Sequence, residues 1–130
     1  MDMETALRAR LLAAAPVVAL VGQRVTWVER PQGAALPAIT LQNVTDERVQ
    51  NFKGFDGLQP GYVQIDVWAL SYAAAKALKD AAIAAVVPAA TQSGVRFTRG
   101  FVTARDLSER TDTQFLFRPS IDLTFHYATA

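Results

Sequence analysis

The chain has no cysteine, a single histidine and no apolar run long enough to be read as a membrane span. Each absence closes a class. Without cysteine there are no disulfides, no thiolate zinc sites and no cysteine nucleophile, and nothing follows about the redox compartment. The longest apolar stretch, Leu11–Val21, is interrupted by Pro16 and falls well short of the roughly 20 residues a bilayer needs. The first residues, Met-Asp-Met-Glu, are acidic where a signal peptide is basic, which gives the expectation of a soluble protein made in the cytoplasm. An excess of charge of either sign is also missing, since 13 basic residues stand against 12 acidic ones. Nucleic-acid binders ordinarily show a basic surplus or a basic stripe, and the sequence has neither.

What is present is an ordinary globular composition, 51% hydrophobic and 19% charged over 130 residues. That size suits one domain, 1–130, with a core that needs no metal or disulfide. There is no internal repeat, low-complexity tract or linker. Asp2 is placed to cap a first helix with Leu7, Leu11 and Ala14 on one face and Glu4–Arg8 as an i,i+4 pair. Pro16 opens a further helical turn to Val21, which Gly22 can stop. Val25–Glu29 reads as a short strand, Arg30–Pro37 as a loop bracketed by prolines, and Ala38–Val49 as a strand with Ile39 and Leu41 on one face.

The centre of the chain changes period. In Tyr62–Ala69, Val63, Ile65, Val67 and Ala69 face one way while Gln64, Asp66 and Trp68 face the other. From Ser71, a good N-cap, the apolar residues take helical spacing for about four turns until Pro88 ends the run. Ala75, Leu78, Ala82, Ala85 and Val86 form the buried stripe, Lys76, Lys79 and Asp80 the wet one, and Ile83 falls beside the wet stripe. Two long strands follow. In the first, Val95, Phe97, Phe101 and Leu107 alternate with Arg96, Thr98 and Asp106, and Gly100 is a candidate bulge. In the second, Phe115, Phe117, Ile121, Leu123, Phe125 and Tyr127 keep a period of two, with Pro119 marking an edge or a bend. The order α-β-β-β-α-β-β with short strand connections predicts an α+β fold, an antiparallel or mixed β-sheet with two main helices on one face.

Few residues suggest chemistry. His126 stands on the side opposite Phe125 and Tyr127, towards solvent, without a second ligand at metal-binding spacing. Asp66 lies mid-strand between Ile65 and Val67. It could act as a general base, but an outward strand residue paired with an arginine across the sheet accounts for it better. Gly54, Gly57 and Gly61 precede a strand instead of joining a strand to a helix, so they do not form a phosphate loop. Asn43-Val44-Thr45 matches the glycosylation triplet within a predicted strand and reads as chance. The arginines of the last third (Arg96, Arg99, Arg105, Arg110 and Arg118) are interspersed with acids, the pattern of a solvated face. No catalytic group and no cofactor or metal site emerges. What does emerge is apolar material in a glycine-rich loop, Phe52, Phe55 and Leu58, with Trp68 nearby on the strand. Such clustering suggests either a surface completed by a partner or a loop folded back over the sheet edge.

Taken in order, "VVALVGQRV", "ERPQGAALPAITLQNV", "VQIDVWALSYAAAKAL" and "RPSIDLTFHY" resemble the tail-completion, or tail-terminator, proteins of long-tailed bacteriophages, prophages and gene transfer agents. The resemblance spans about Thr5 to Tyr127. It rests on packing and turn residues, the Gln32–Pro37 turn and the Gln64–Ala69 strand above all. It implies a structural α+β subunit that closes into a ring, usually of six, at the head-proximal end of the tail tube. Its partners are then further copies of itself, the tail-tube protein and the head–tail connector or neck protein, with DNA only as passing cargo and no membrane. The implied location is a virion or phage-like particle assembled in a bacterial cytoplasm. Interface candidates are Phe52, Lys53, Phe55, Asp56, Leu58, Trp68, Arg105, Glu109 and Arg110. Another neck or minor tail protein is the nearest alternative. A small dimeric α+β enzyme or ligand-binding domain is the alternative of a different class, and a nucleic-acid module comes third.

Overall fold

The computed structural model describes residues 2–29, 35–45, 50–51, 54–55, 58–110 and 115–129. Helix α1 (Met3–Ala13) begins where the Asp2 carboxylate accepts the Thr5 amide at 2.8 Å. Helix α2 (Ala15–Val21) carries Pro16 in its first turn and stops at Gly22, whose φ of 59° suits a residue without a Cβ. Helix α3 (Tyr72–Val86) is capped by Ser71, whose hydroxyl accepts the Ala74 amide at 3.1 Å. The anticipated Glu4–Arg8 pair is replaced by longer reaches. Arg8 donates to the Val25 carbonyl at 2.6 Å, and the Glu4 carboxylate accepts from Asn43 at 3.2 Å. Both bonds tie α1 to the sheet beneath it.

The strands are β1 (Val25–Trp27), β2 (Ala38–Thr45), β3 (Gln50–Asn51), β4 (Gly54–Phe55), β5 (Gln59–Trp68), β6 (Ala90–Gln92), β7 (Val95–Phe97), β8 (Phe101–Arg105), β9 (Ser108–Arg110), β10 (Phe115–Phe117) and β11 (Ser120–Thr129). Seven of them make one sheet in the order β1-β2-β5-β11-β7-β6, with β8 also pairing β11. Only β1 and β2 run parallel, so the sheet is mixed. Two small ribbons, β3–β4 and β9–β10, form separate ladders, the second joined to the end of β5 by a bridge between Phe117 and Ala69.

The three helices cover one face. Leu7, Leu11, Val17, Val21, Leu78, Ala82 and Val86 from the helices meet Ile39, Leu41, Val63, Ile65, Val67, Ile121, Leu123 and Phe125 from the sheet, all buried. The predicted alternation of β5 holds, with Val63, Ile65, Val67 and Ala69 fully buried. Ala75, Leu78, Ala82 and Val86 make the buried stripe of α3, while Ile83 and Ala85 are half-buried against the same core. At the far end of α1, Arg10 is buried. Its guanidinium donates to the Pro88 carbonyl and lies 5.3 Å from the centre of the Phe97 ring. Loss of hydration there lowers its pKa from the ordinary arginine value.

Two of the expected long strands are divided. Tyr127 faces Phe97 across the ladder but Thr124 faces Phe101, so three steps along β11 answer four along β7–β8. The one-residue surplus at Thr98–Gly100 is the bulge that Gly100 suggested. A Cβ on Gly100 would stand 2.8 Å from a Leu123 methyl and 3.1 Å from the Val86 carbonyl oxygen, which is why glycine is there. The step also reverses the pleat: Val95 and Phe97 point into the core, but beyond the bulge Val102 packs inward and Phe101 is 67% exposed. The expectation that Phe101 continues the inward face is therefore corrected. Pro119 marks a bend, with β10 leaving the main sheet there, while β11 is a central strand.

Candidate interaction surfaces

Among the described residues no helix lies on the second face of the sheet, and β5 presents Gln64, Asp66 and Trp68 there. Asp66 is only 8% exposed, so its charge needs partners. Gln64 donates to both of its oxygens at 3.1 Å, and Arg118 lies 3.5 Å away. This is the cross-sheet arginine pairing expected for a strand carboxylate, with both ends held. Arg118 also lies over the Trp68 ring at 5.4 Å, and its Nε is 3.2 Å from the Glu109 carboxylate, close in charge but out of line for a hydrogen bond. The Trp68 indole donates to the Thr40 hydroxyl at 3.0 Å. Further along, Arg105 pairs with Asp122 at 2.9 Å.

Of the interface candidates, the structure therefore brings Trp68 and Glu109 together through Arg118 and puts Arg105 on the same sheet system through β11. Glu109 and Arg110 are exposed on β9, and Leu58 is exposed just before β5. Phe55 lies in β4. Phe52, Lys53 and Asp56 lie outside the described residues.

Sequence reasoning missed a second group. Leu70 (54% exposed), Tyr72 (54%) and Phe115 (44%) sit where β5 ends and the β9–β10 ribbon begins. Phe117 bridges to Ala69 and stacks edge-on with both Tyr72, at 6.1 Å between ring centres, and Phe115, at 5.0 Å. Two signals in the chain point to it: Tyr72 and Leu70 fall outside the stripe Ala75, Leu78, Ala82, and Pro119 separates Phe115 from the inward residues of β11. Val44 and Leu58 are exposed near the opposite end of β5. The two apolar surfaces are about 33 Å apart along a ten-residue strand.

His126 is exposed on β11, and among the described residues no group of three or more His, Cys, Asp and Glu could hold a metal ion. Among these residues, too, no helix is long and apolar enough to cross a membrane.

Comparison with known proteins gives one family and a fold. The family model for tail completion protein gp17 matches residues 5–127. A chain of the virion of a native gene transfer agent particle is 21% identical, with a TM-score of 0.70 over 97% of this chain and 94% of that one. A second solved chain is 15% identical, with a TM-score of 0.59 over 98% of this chain and 93% of that one. At such identities the likeness is one of fold. No curated protein sequence matches.

Proposed function

Because this chain belongs to the tail completion protein gp17 family, we propose that it acts as a tail terminator whose copies close into a hexameric ring at the head-proximal end of a tail tube. The role is structural, without catalysis. The ring stops growth of the tube and offers a docking face to the neck of the head, and DNA passes through its lumen. The chain's place is then in the assembled particle, a reading supported by the matching fold of a chain from a gene transfer agent virion.

The observation that carries the ring is the pair of unlike apolar surfaces at the two ends of β5. A closed ring requires head-to-tail contacts in which one patch meets a different patch on the next copy. Leu58 and Val44, with Phe52, Lys53, Phe55 and Asp56 adjacent in sequence, form one side. Leu70, Tyr72 and Phe115, with Glu109 and Arg110 of the ribbon, form the other, while Trp68 and Arg105 occupy the face between. A two-stranded ribbon is marginal by itself, and β9–β10, held to the main sheet through Phe117, gains from a neighbour.

The test is the absolute mass in solution, by light scattering behind a sizing column, over a range of concentrations. Wild type is expected to reach a hexamer as concentration rises. The double variant Leu70→Ser/Phe115→Ser should stay monomeric and folded, with a stability loss of about 1–2 kcal/mol, chiefly from the Phe115–Phe117 contact. A wild-type dimer at every concentration, or a double variant that assembles like wild type, refutes the proposal.

A further inference from the structure

At the end of the open face where β5 begins lies a surface hollow of about 280 Å³, walled by Pro60, Tyr62, Phe101 and Thr124 and rimmed by Arg99 and His126. Its geometry follows from the bulge at Thr98–Gly100, which turns Phe101 outwards and lifts Arg99 to the rim. Arg96 and Arg99 line a second, adjoining hollow against Ala90 and Thr91. The cations here differ from those elsewhere on the sheet. Arg105 and Arg118 are each ion-paired, and so are Asp66, Glu109 and Asp122. Arg96 and Arg99 are both exposed, and neither has an ion-pair partner among the described residues. Among the described residues, one end of the face is neutralised from within and the other is left positive around an apolar cavity.

We propose that this hollow is the docking site for an acidic segment of a partner protein, a side chain with an apolar body entering between Tyr62 and Phe101 while flanking carboxylates meet Arg99, Arg96 and His126. Charge complementarity selects the partner's sign, since among the described residues no carboxylate lines the hollow. The cavity is at the lower limit for a small-molecule site and takes one large side chain. A nucleic-acid backbone wants cations spaced along a track, whereas these converge on one corner beside aromatic walls. Of this chain's own described carboxylates on that face, Asp66, Glu109 and Asp122 are already paired, so a second copy offers none of these three.

The experiment is fluorescence anisotropy of the full chain with a fluorescein-labelled peptide of glutamates around one central tryptophan, in about 0.1 M salt, where screening acts beyond about 10 Å. Saturable binding is expected, weakened about tenfold by Arg99→Glu and again by Arg96→Glu, the scale of turning a weak attraction into a repulsion. Lys76→Glu, on the far side of α3, should bind like wild type. Melting curves confirm that each variant is folded. The proposal is overturned if the peptide does not bind saturably, if Arg99→Glu binds as wild type does, or if a lysine-flanked peptide or a DNA duplex binds as tightly.

Discussion

Replacing Gly61 with alanine tests how tightly the sheet packs beneath the helices. Gly61 stands on the inward side of β5 directly opposite Phe125. A Cβ there would lie 2.5, 2.7 and 3.0 Å from three carbons of the Phe125 ring. The ring has little room to give, because Phe97 and Tyr127 hold it with centres 5.6 and 5.9 Å away. Overpacking of this kind costs about 1–3 kcal/mol. Against it, removing a glycine stiffens the unfolded chain and returns about 0.4–1 kcal/mol. The net expectation for Gly61→Ala is a loss of about 1–2 kcal/mol, and at this chain length about 3–5 °C in melting temperature per kcal/mol. Urea unfolding should show a lower midpoint with an unchanged slope. Phe125→Leu alone also destabilises, but in the double variant the new methyl occupies space the ring has left. The two losses should then fall short of additivity by about 0.5–2 kcal/mol. A Gly61→Ala protein as stable as wild type, or two losses that simply add, would refute the reasoning.

Arg10→Ala should cost about 2–4 kcal/mol in thermal unfolding, since it uncovers Phe97 and leaves the Pro88 carbonyl without its donor, whereas Arg10→Met should recover the part due to the buried stem. The hydrogen bond from Thr5 lowers the Asp2 pKa below its ordinary 3.8, so the cap contributes fully above that value and its contribution is lost as pH falls through the depressed one. Asp2→Asn keeps a capping oxygen without titrating, and its unfolding curves should lack the part of the acid-induced loss that begins near pH 3.8 in wild type.

Much of this fold is legible in the residues because local rules and tertiary packing agree. Asp2 and Ser71 place helix starts through side-chain caps, and Gly22 and Pro88 place helix ends through their backbone chemistry, all of it local. The alternation of Val63, Ile65 and Val67 survives because β5 has a partner on both edges and a helix above it. The pairing of Asp66 with an arginine was foreseeable from the cost of a lone carboxylate in mid-strand. Phe101 was not. Period-two reading assumes that every residue advances the pleat, and a single surplus residue set by Gly100 against Leu123 breaks that assumption without altering composition. The interaction surfaces were half visible. Trp68 and Leu58 advertised themselves as apolar residues at outward positions. The Leu70, Tyr72 and Phe115 group depends on where Pro119 sends β10, a tertiary event with no local signature beyond the proline itself.

The surplus residue at Thr98–Gly100 also bears on how the chain tolerates insertions and deletions. Exposed connections are ordinarily where a protein accepts them most readily. Here the connection sets the parity of everything after it on that strand. Losing one residue would send Phe101 into the core and Val102 out, emptying the hollow and repacking the floor under α3 in one step. Among the surface connections of this molecule, length variation should therefore be least tolerated at this one.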